Sequence, residues 1–313
     1  MSFRACFVGV GAMGAKLAGK IVTAETCSGL AVFRGRSPGT IAAATALGEE
    51  SGVEVTPDVD ATVKGADVIF TCLPRSGDVH TIANDLISSS SIKPGSVWID
   101  CTSGDPAGAQ AVALLLKEKA DCVYMDCAVS GGPKGAEAGT LTCMLGAPED
   151  SVPFATHGKA MLRTFSKNIV HCGVTGSGFA VKAVNNAMMG THILVAAEGL
   201  TALKAHGVDP TVALAAINGS SGRSWATLQR IPDNVLSRKF DYNFSLELLH
   251  KDVQTCVQNI LDAPSAGIAG ESFPLLNLSA SRIEAAHLSL GEEADHTEIV
   301  KLSEEATGIV LDK

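Results

Sequence analysis

The sequence has few aromatic residues, with two Trp, two Tyr and ten Phe making 4% of 313 residues. All-β sandwiches and base-stacking platforms draw on more than this. A positive excess is also missing. Lys and Arg number 24 against 33 Asp and Glu, a net charge of −9 with histidine neutral, and there is no basic cluster. That excludes nucleic acid and anionic membrane surfaces as natural partners. No uninterrupted apolar run reaches the ~18 residues of a membrane span. The nearest candidate, 179–203, contains Lys182, Asn185, Asn186, His192 and Glu198. No secretory leader is expected, because residues 3–10 read as a buried strand running into a glycine-rich turn. None of the nine cysteines forms a Cys-x-x-Cys pair, and the eight histidines are scattered, so no metal site is expected. Cys6, Cys72, Cys101, Cys122, Cys127, Cys143 and Cys172 fall in or beside apolar runs. They read as reduced, buried thiols of a cytoplasmic protein.

What is present is globular: 46% hydrophobic and 18% charged residues, with 32 glycines. The length predicts about two domains. Short apolar runs at 5–10, 30–33, 68–72, 96–100 and 123–126 read as buried strands, and 140–145 and 168–171 are two more candidates. Helical patterns, for example at 13–22, 41–47 and 78–87, lie between them. Alternation of this kind means βαβ units and a parallel sheet. After Gly178 the pattern is helical only. A long segment at 179–205, apolar almost all round, is followed by 210–217, 246–261, 276–286 and 297–307. A helix with so little polar face is buried in a core or an interface. The expected division is residues 1–174 and 175–313.

The segment Gly9-Val10-Gly11-Ala12-Met13-Gly14 fits G-x-G-x-x-G between a strand and a helix. In that context the glycines allow a tight turn, close approach of a pyrophosphate and helix–strand packing. The helix start supplies free N–H groups to the phosphates. A P-loop is excluded, because no Gly-Lys-Ser/Thr follows. The second strand ends at Arg34-Gly35-Arg36-Ser37 where an NAD site places an acidic residue. Two guanidiniums and a hydroxyl suit a 2′-phosphate, so NADP is expected over NAD.

With these residues the chain resembles the β-hydroxyacid dehydrogenases, the group of 3-hydroxyisobutyrate dehydrogenase and the semialdehyde reductases. The resemblance rests on Gly9–Gly14, on 126–136 (Asp-Cys-Ala-Val-Ser-Gly-Gly-Pro-Lys-Gly-Ala) continuing through Gly139 to Met144, on 173–178 with Lys182, Asn185 and Asn186, and on Lys251-Asp252 after 244–246. It spans nearly the whole chain in order. The segment 220–225 is similar to the 3-hydroxyisobutyrate branch in particular. The loop Arg34–Ser37 departs from that branch, which usually has an acidic residue there and prefers NAD, and mixes its pattern with that of the reductases, which have an Asn-Arg-Thr-like segment and prefer NADP. The resemblance implies a Rossmann-type, mostly parallel sheet domain followed by an all-α domain that begins with a long helix and serves for substrate binding and dimerisation. It implies a homodimer or homotetramer, with a small 3-hydroxy acid or semialdehyde as substrate.

A 3-hydroxy acid needs a carboxylate anchor, a proton acceptor and a hydride acceptor. Ser130, Gly131 and Gly132 can supply the anchor through backbone N–H groups and a hydroxyl. Lys182 is the expected general acid–base, its pKa drawn down by desolvation. Asn186, four residues on, shares its helical face and would hold a substrate oxygen and orient the lysine. Asn185 would pack or bond within the helix. By resemblance Leu73, Pro74, Thr102 and Ser103 line the cofactor, with Ser103 preferred over Thr102, and Lys251 reaches the nicotinamide side. Arg223 has no assigned role. A Tyr-x-x-x-Lys dehydrogenase is excluded, because Tyr124 and Tyr242 have Ala128 and Leu246 at that spacing. An NADPH-dependent reductase of succinic, glyoxylic or tartronic semialdehyde is the alternative. A non-catalytic cofactor-binding protein or an imine-reducing relative would be expected to lack the lysine.

Overall fold

The computed structural model describes residues 2–148, 158–262 and 267–312. The chain forms two compact units, Met1–Lys182 and Ala183–Lys313.

The first unit holds one eight-stranded sheet in the order β3-β2-β1-β4-β5-β6-β7-β8. Its strands are β1 (Phe3–Val8), β2 (Cys27–Phe33), β3 (Glu54–Thr56), β4 (Val68–Thr71), β5 (Val97–Asp100), β6 (Val123–Ser130), β7 (Leu141–Gly146) and β8 (Ser166–Gly173). Every pairing is parallel except β6 with β7. The Rossmann-type, mostly parallel sheet expected from the alternating pattern is therefore present. The connecting helices are α1 (Gly14–Ile21), α2 (Pro38–Ser51), α3 (Val59–Val63), α4 (Ser76–Ser88), α5 (Pro106–Ala120), α6 (Gly132–Ala138) and α7 (Lys159–Leu162).

Strand periodicity of two explains why the sheet has two separate cores. Ala5 and Phe7 pack on one face with Leu17, Ile21, Val32, Phe70 and Ile99. Cys6 and Val8 pack on the other with Ile69, Trp98 and Leu116. Phe7 and Phe70 are register partners and stack with ring centroids 6.0 Å apart. Burying each of these rings contributes roughly 2–3 kcal/mol. All nine cysteines are free thiols. Burial pushes the Cys6 thiol up to about 12 and the Cys122 thiol up to about 11, which leaves both as inert core groups.

The helices start where the sequence supplies caps. Ser37 accepts from Thr40 N ahead of Pro38, and Asp105 accepts from Gly108 N ahead of Pro106. The Asp105-Pro106 signal opens α5, a helix the apolar pattern alone does not reveal. Strand β3 has only three residues, too few to show alternation.

Among the described residues, the elements from Ser177 onward include α8 (Ser177–Ala205), α9 (Pro210–Asn218), α10 (Leu246–Cys256), α11 (Pro274–Leu290) and α12 (Lys301–Thr307). The division between units falls inside α8, after Lys182. The second unit has its own core, built on Ile193, Leu200, Ile231, Leu249, Val253, Ile283 and Ile299. The expected single helix at 246–261 is two segments, since a π turn, Val257–Leu261, follows α10. The segment 297–307 likewise divides into a 3-10 stretch, His296–Val300, and α12. A π-helix at Ala226–Val235 encloses Pro232 and has no counterpart in the sequence pattern, because its period departs from 3.6. Among the described residues no helix is long and apolar enough to cross a membrane.

Candidate active site

In the first unit the candidate cofactor residues follow β1, β2, β4 and β5, and Ser130 ends β6 with Gly131 and Gly132 directly after it. These five strands are mutually parallel, so all five loops leave from one edge of the sheet. Strand order reverses between β1 and β4, the place where open α/β sheets bind ligands.

The three glycines of the first loop do different work. Gly9 has φ +106°, and a Cβ there would lie 2.3 Å from the Cys72 carbonyl oxygen. A Cβ on Gly14 would lie 1.9 Å from the Gly9 carbonyl oxygen. Both positions are closed by the fold itself. Gly11 is exposed, and a Cβ there would meet nothing within 4 Å. Its missing side chain leaves open space beside the start of α1. Met13 caps that helix with no side-chain hydrogen bond. Open space next to helical N–H groups fits a pyrophosphate.

After β2, Arg34 and Arg36 are exposed and Gly35 turns the chain with φ +75°. No carboxylate stands in the segment. Ser37 is also exposed, but its hydroxyl caps α2. After β4, Leu73 N donates to Thr102 Oγ1 at 3.0 Å. Thr102 is buried, and its own N–H donates to Asp100 Oδ1 at 3.0 Å. Asp100 also accepts from Thr71 Oγ1 at 2.8 Å and from Tyr124 OH at 2.7 Å. Burial drives the Asp100 carboxyl upward against these donors. The network ties the loops after β4 and β5 together. Thr102 thus accepts from the Leu73 backbone, and Ser103, half-buried, follows it. Gly131 and Gly132 both have positive φ, +131° and +67°, which opens a backbone turn directly after Ser130.

Asp126 lies in the same signature, and the sequence alone did not mark it as functional. It is fully buried, and its carboxylate accepts from Gly176 N at 2.6 Å and Phe179 N at 2.8 Å. It therefore seats the first turn of α8, the helix that carries Lys182. Burial is the main cause that pushes the carboxyl up to about 6, with the two backbone donors pulling the other way. Glycines at 146 and 178 make room for it. A Cβ on Gly146 would stand 2.3 Å from Asp126 Oδ1, and one on Gly178 would stand 2.8 Å from Oδ2.

Lys182 is half-buried on α8, and Asn186 follows one turn later. Within the second unit, Asn186 is 3% exposed and donates to Asp252 Oδ2 at 2.6 Å. Asn185 donates to Asn186 Oδ1 at 3.1 Å, the within-helix bond expected for it. Lys251 Nζ stands 3.1 Å from Asp252 Oδ1. Asn186 and Lys251, 66 and one residues from Asp252, are joined through its carboxylate. Asp252 is the link that sequence spacing did not reveal. Arg223 is exposed. The histidines are less scattered than they look along the chain, because α10 and α11 bring His250 and His287 together.

Residues 4–173 match the family model of the NAD binding domain of 6-phosphogluconate dehydrogenase. Residues 176–303 match the model described as NAD-binding of NADP-dependent 3-hydroxyisobutyrate dehydrogenase. A 2-(hydroxymethyl)glutarate dehydrogenase of Eubacterium barkeri is 32% identical over 312 residues, 98% of this chain and 97% of its own length. A probable mitochondrial 3-hydroxyisobutyrate dehydrogenase of Dictyostelium discoideum is 34% identical over 67% of this chain and 67% of its own. Among solved structures, Mycobacterium tuberculosis 3-hydroxyisobutyrate dehydrogenase with L-serine has a TM-score of 0.82 at 25% identity, covering 97% of this chain and 99% of that one. The chain belongs to the family of NAD(P)-dependent oxidoreductases, acting on small hydroxy acids and semialdehydes, that contains 3-hydroxyisobutyrate dehydrogenase.

Proposed function

We propose that this chain moves a hydride between NADP(H) and a small 3-hydroxy acid of the 3-hydroxyisobutyrate kind, with Lys182 as general acid–base. The observation that carries the reading is the polar set on α8. Half-buried Lys182 precedes by one turn an Asn186 held by Asn185 and Asp252. Buried polar groups are costly unless hydrogen-bonded, and here the partners hold the Asn186 amide in one orientation beside the lysine's helical face. In oxidation, neutral Lys182 takes the hydroxyl proton as hydride leaves the carbon. In reduction, the ammonium returns a proton to the forming alkoxide. Asn186 fixes a substrate oxygen and the lysine, and its own orientation is set by Asp252.

Residues 1–174 serve as the dinucleotide-binding domain and 175–313 as the helical substrate and dimerisation domain. The bound cofactor supplies the hydride donor or acceptor. Gly9, Gly11, Ala12, Met13 and Gly14 receive its pyrophosphate, with Gly11 giving the room. Arg34, Arg36 and Ser37 receive the 2′-phosphate, the Ser37 oxygen accepting from Thr40 N while its O–H remains a donor. Leu73, Pro74 and Ser103 line the cofactor, Thr102 holds Leu73, and Lys251 reaches the nicotinamide side. Ser130, Gly131 and Gly132 hold the substrate carboxylate. Exposed Met188 and Val195 on α8 support pairing with a second copy. NADP preference also favours the alternative direction, reduction of a semialdehyde by the same residues.

The test is turnover of a panel of small 3-hydroxy acids and semialdehydes with NADP and with NAD. NADP should give the higher kcat/KM, and Arg34→Ala with Arg36→Ala should remove about 10-fold or more of that preference, as lost charge-assisted hydrogen bonds would. Preference for NAD in the wild type would overturn the cofactor assignment. Turnover of none of the panel would overturn the reaction.

A further inference from the structure

Outside the residues above, the first turn of α10 and the last turns of α11 bring three metal-ligating side chains together. Glu247 and His250 are three residues apart on α10, so they share a face. His287 comes from α11. One ligand atom from each of the three lies within 4.8 Å of the other two, and all three side chains are partly buried. The imidazoles of His250 and His287 stack with centroids 4.5 Å apart at 13°.

The geometry at His287 is unusual for a plain hydrogen-bonded pair. Its Nε2 lies 2.8 Å from Glu247 Oε2. Yet that nitrogen is buried and makes no hydrogen bond. The two atoms therefore approach off the axis that an N–H donor needs. A buried nitrogen with no hydrogen-bond partner calls for an explanation. Two atoms about 3 Å apart that do not point at each other are placed as neighbouring ligands of one ion would be, with metal bonds of about 2 Å. The Gln254 amide nitrogen, one turn further along α10, stands 3.3 Å from His250 Nε2.

We propose that Glu247, His250 and His287 form a site for one divalent transition-metal ion of the zinc class, clamping α10 to α11 at the turn before Lys251. Two imidazoles and one carboxylate select Zn2+ and its neighbours over Mg2+ or Ca2+, which prefer all-oxygen sets. The Glu-x-x-His spacing is one that helical metal proteins use. Three protein ligands leave a fourth position for water.

The experiment titrates the full-length, metal-free chain with Co2+ and then with Zn2+. One equivalent of Co2+ should give the visible absorption of a four- or five-coordinate ion, Zn2+ should displace it, and Zn2+ should raise Tm. Glu247→Gln and His287→Gln should each weaken Zn2+ by more than the roughly 10–100-fold that loss of an outer partner costs. His80→Gln, at an exposed histidine on α4, should leave binding unchanged. His287→Cys should add a thiolate-to-Co2+ charge-transfer band, which arises only if position 287 ligates the ion. Circular dichroism checks that each variant is folded. The proposal is overturned by absence of saturable binding in the wild type. It is equally overturned by unchanged Zn2+ affinity in folded Glu247→Gln and His287→Gln, or by a folded His287→Cys that binds Co2+ without the new band.

Discussion

In the first unit, the loops that carry the candidate cofactor residues are shaped by backbone. Gly9 and Gly14 are pressed against carbonyl oxygens, Gly11 stands open, and Gly131 and Gly132 turn with positive φ. In the second unit, the polar residues are joined side chain to side chain, with Asn186 and Lys251 meeting on one buried carboxylate, Asp252. Anions are bound best by fixed N–H groups that need no side chain, so glycine suits the first region. A buried carboxylate is costly unless its oxygens are paired, so the second region requires partners for each polar atom. The two regions should therefore fail differently: the first by steric clash, the second by a charge left without its partner.

The sharpest contrast lies inside the glycine loop. Gly14→Ala places a Cβ 1.9 Å from the Gly9 carbonyl oxygen. It should cost more than about 4 kcal/mol, in the range of the most damaging substitutions, and be seen as a large fall in Tm or insoluble protein. Gly11→Ala meets nothing and should change stability by less than about 0.5 kcal/mol. It should still weaken NADPH binding about 10-fold or more, equivalent to roughly 1.4 kcal/mol, in a fluorescence titration. Equal stability losses at the two positions would break the distinction.

Asp252→Ala tests the second region. It removes the acceptor of Asn186 and the partner of Lys251 together, and chemical denaturation should show a loss of about 3 kcal/mol or more. Asp252→Asn should lose less, because the amide oxygen can still accept from Asn186. If both variants were as stable as the wild type, the network would carry no weight.

Asp126 stands between the two types, a side-chain carboxylate whose donors are backbone N–H groups. Its carboxyl is pushed up to about 6 from an ordinary 3.8. Between pH 4 and 6 the folded chain therefore holds a proton there that the unfolded chain has released. Stability from this group is present at the lower pH and falls as pH rises through that window, by at most about 3 kcal/mol. Asp126→Asn should remove that slope, read as the pH dependence of the stability difference from wild type. The variant should also lose about 1–3 kcal/mol, because its amide cannot accept from both Gly176 N and Phe179 N.

How far the fold and the candidate site could be read in advance follows the same division. The sheet, its parallel sense and the glycine loop were legible because their causes are local: apolar strands, turn glycines and a strand–loop–helix order. The long helix α8 was legible from its length. Not named in advance were β3, too short to show a period, the short helices α3, α6 and α7, and the helices over 106–120 and 226–235. Of these, 106–120 was announced only by an Asp-Pro cap, and 226–235 runs in a π period. Asp126 and Asp252 escaped because their partners stand 50 and 66 residues away. Nothing in spacing marks such a pair. At 34–37 the residues were legible in the sequence, and Arg34, Arg36 and Ser37 are all exposed.

The most direct measurement compares wild type with Lys182→Ala, in steady-state oxidation of 3-hydroxyisobutyrate by NADP and in NADPH binding followed by fluorescence. The account predicts that kcat falls by about 10²–10⁴-fold, the usual worth of a general acid–base, while NADPH affinity and Tm stay at wild-type values. A folded Lys182→Ala chain that keeps near-native kcat would contradict it.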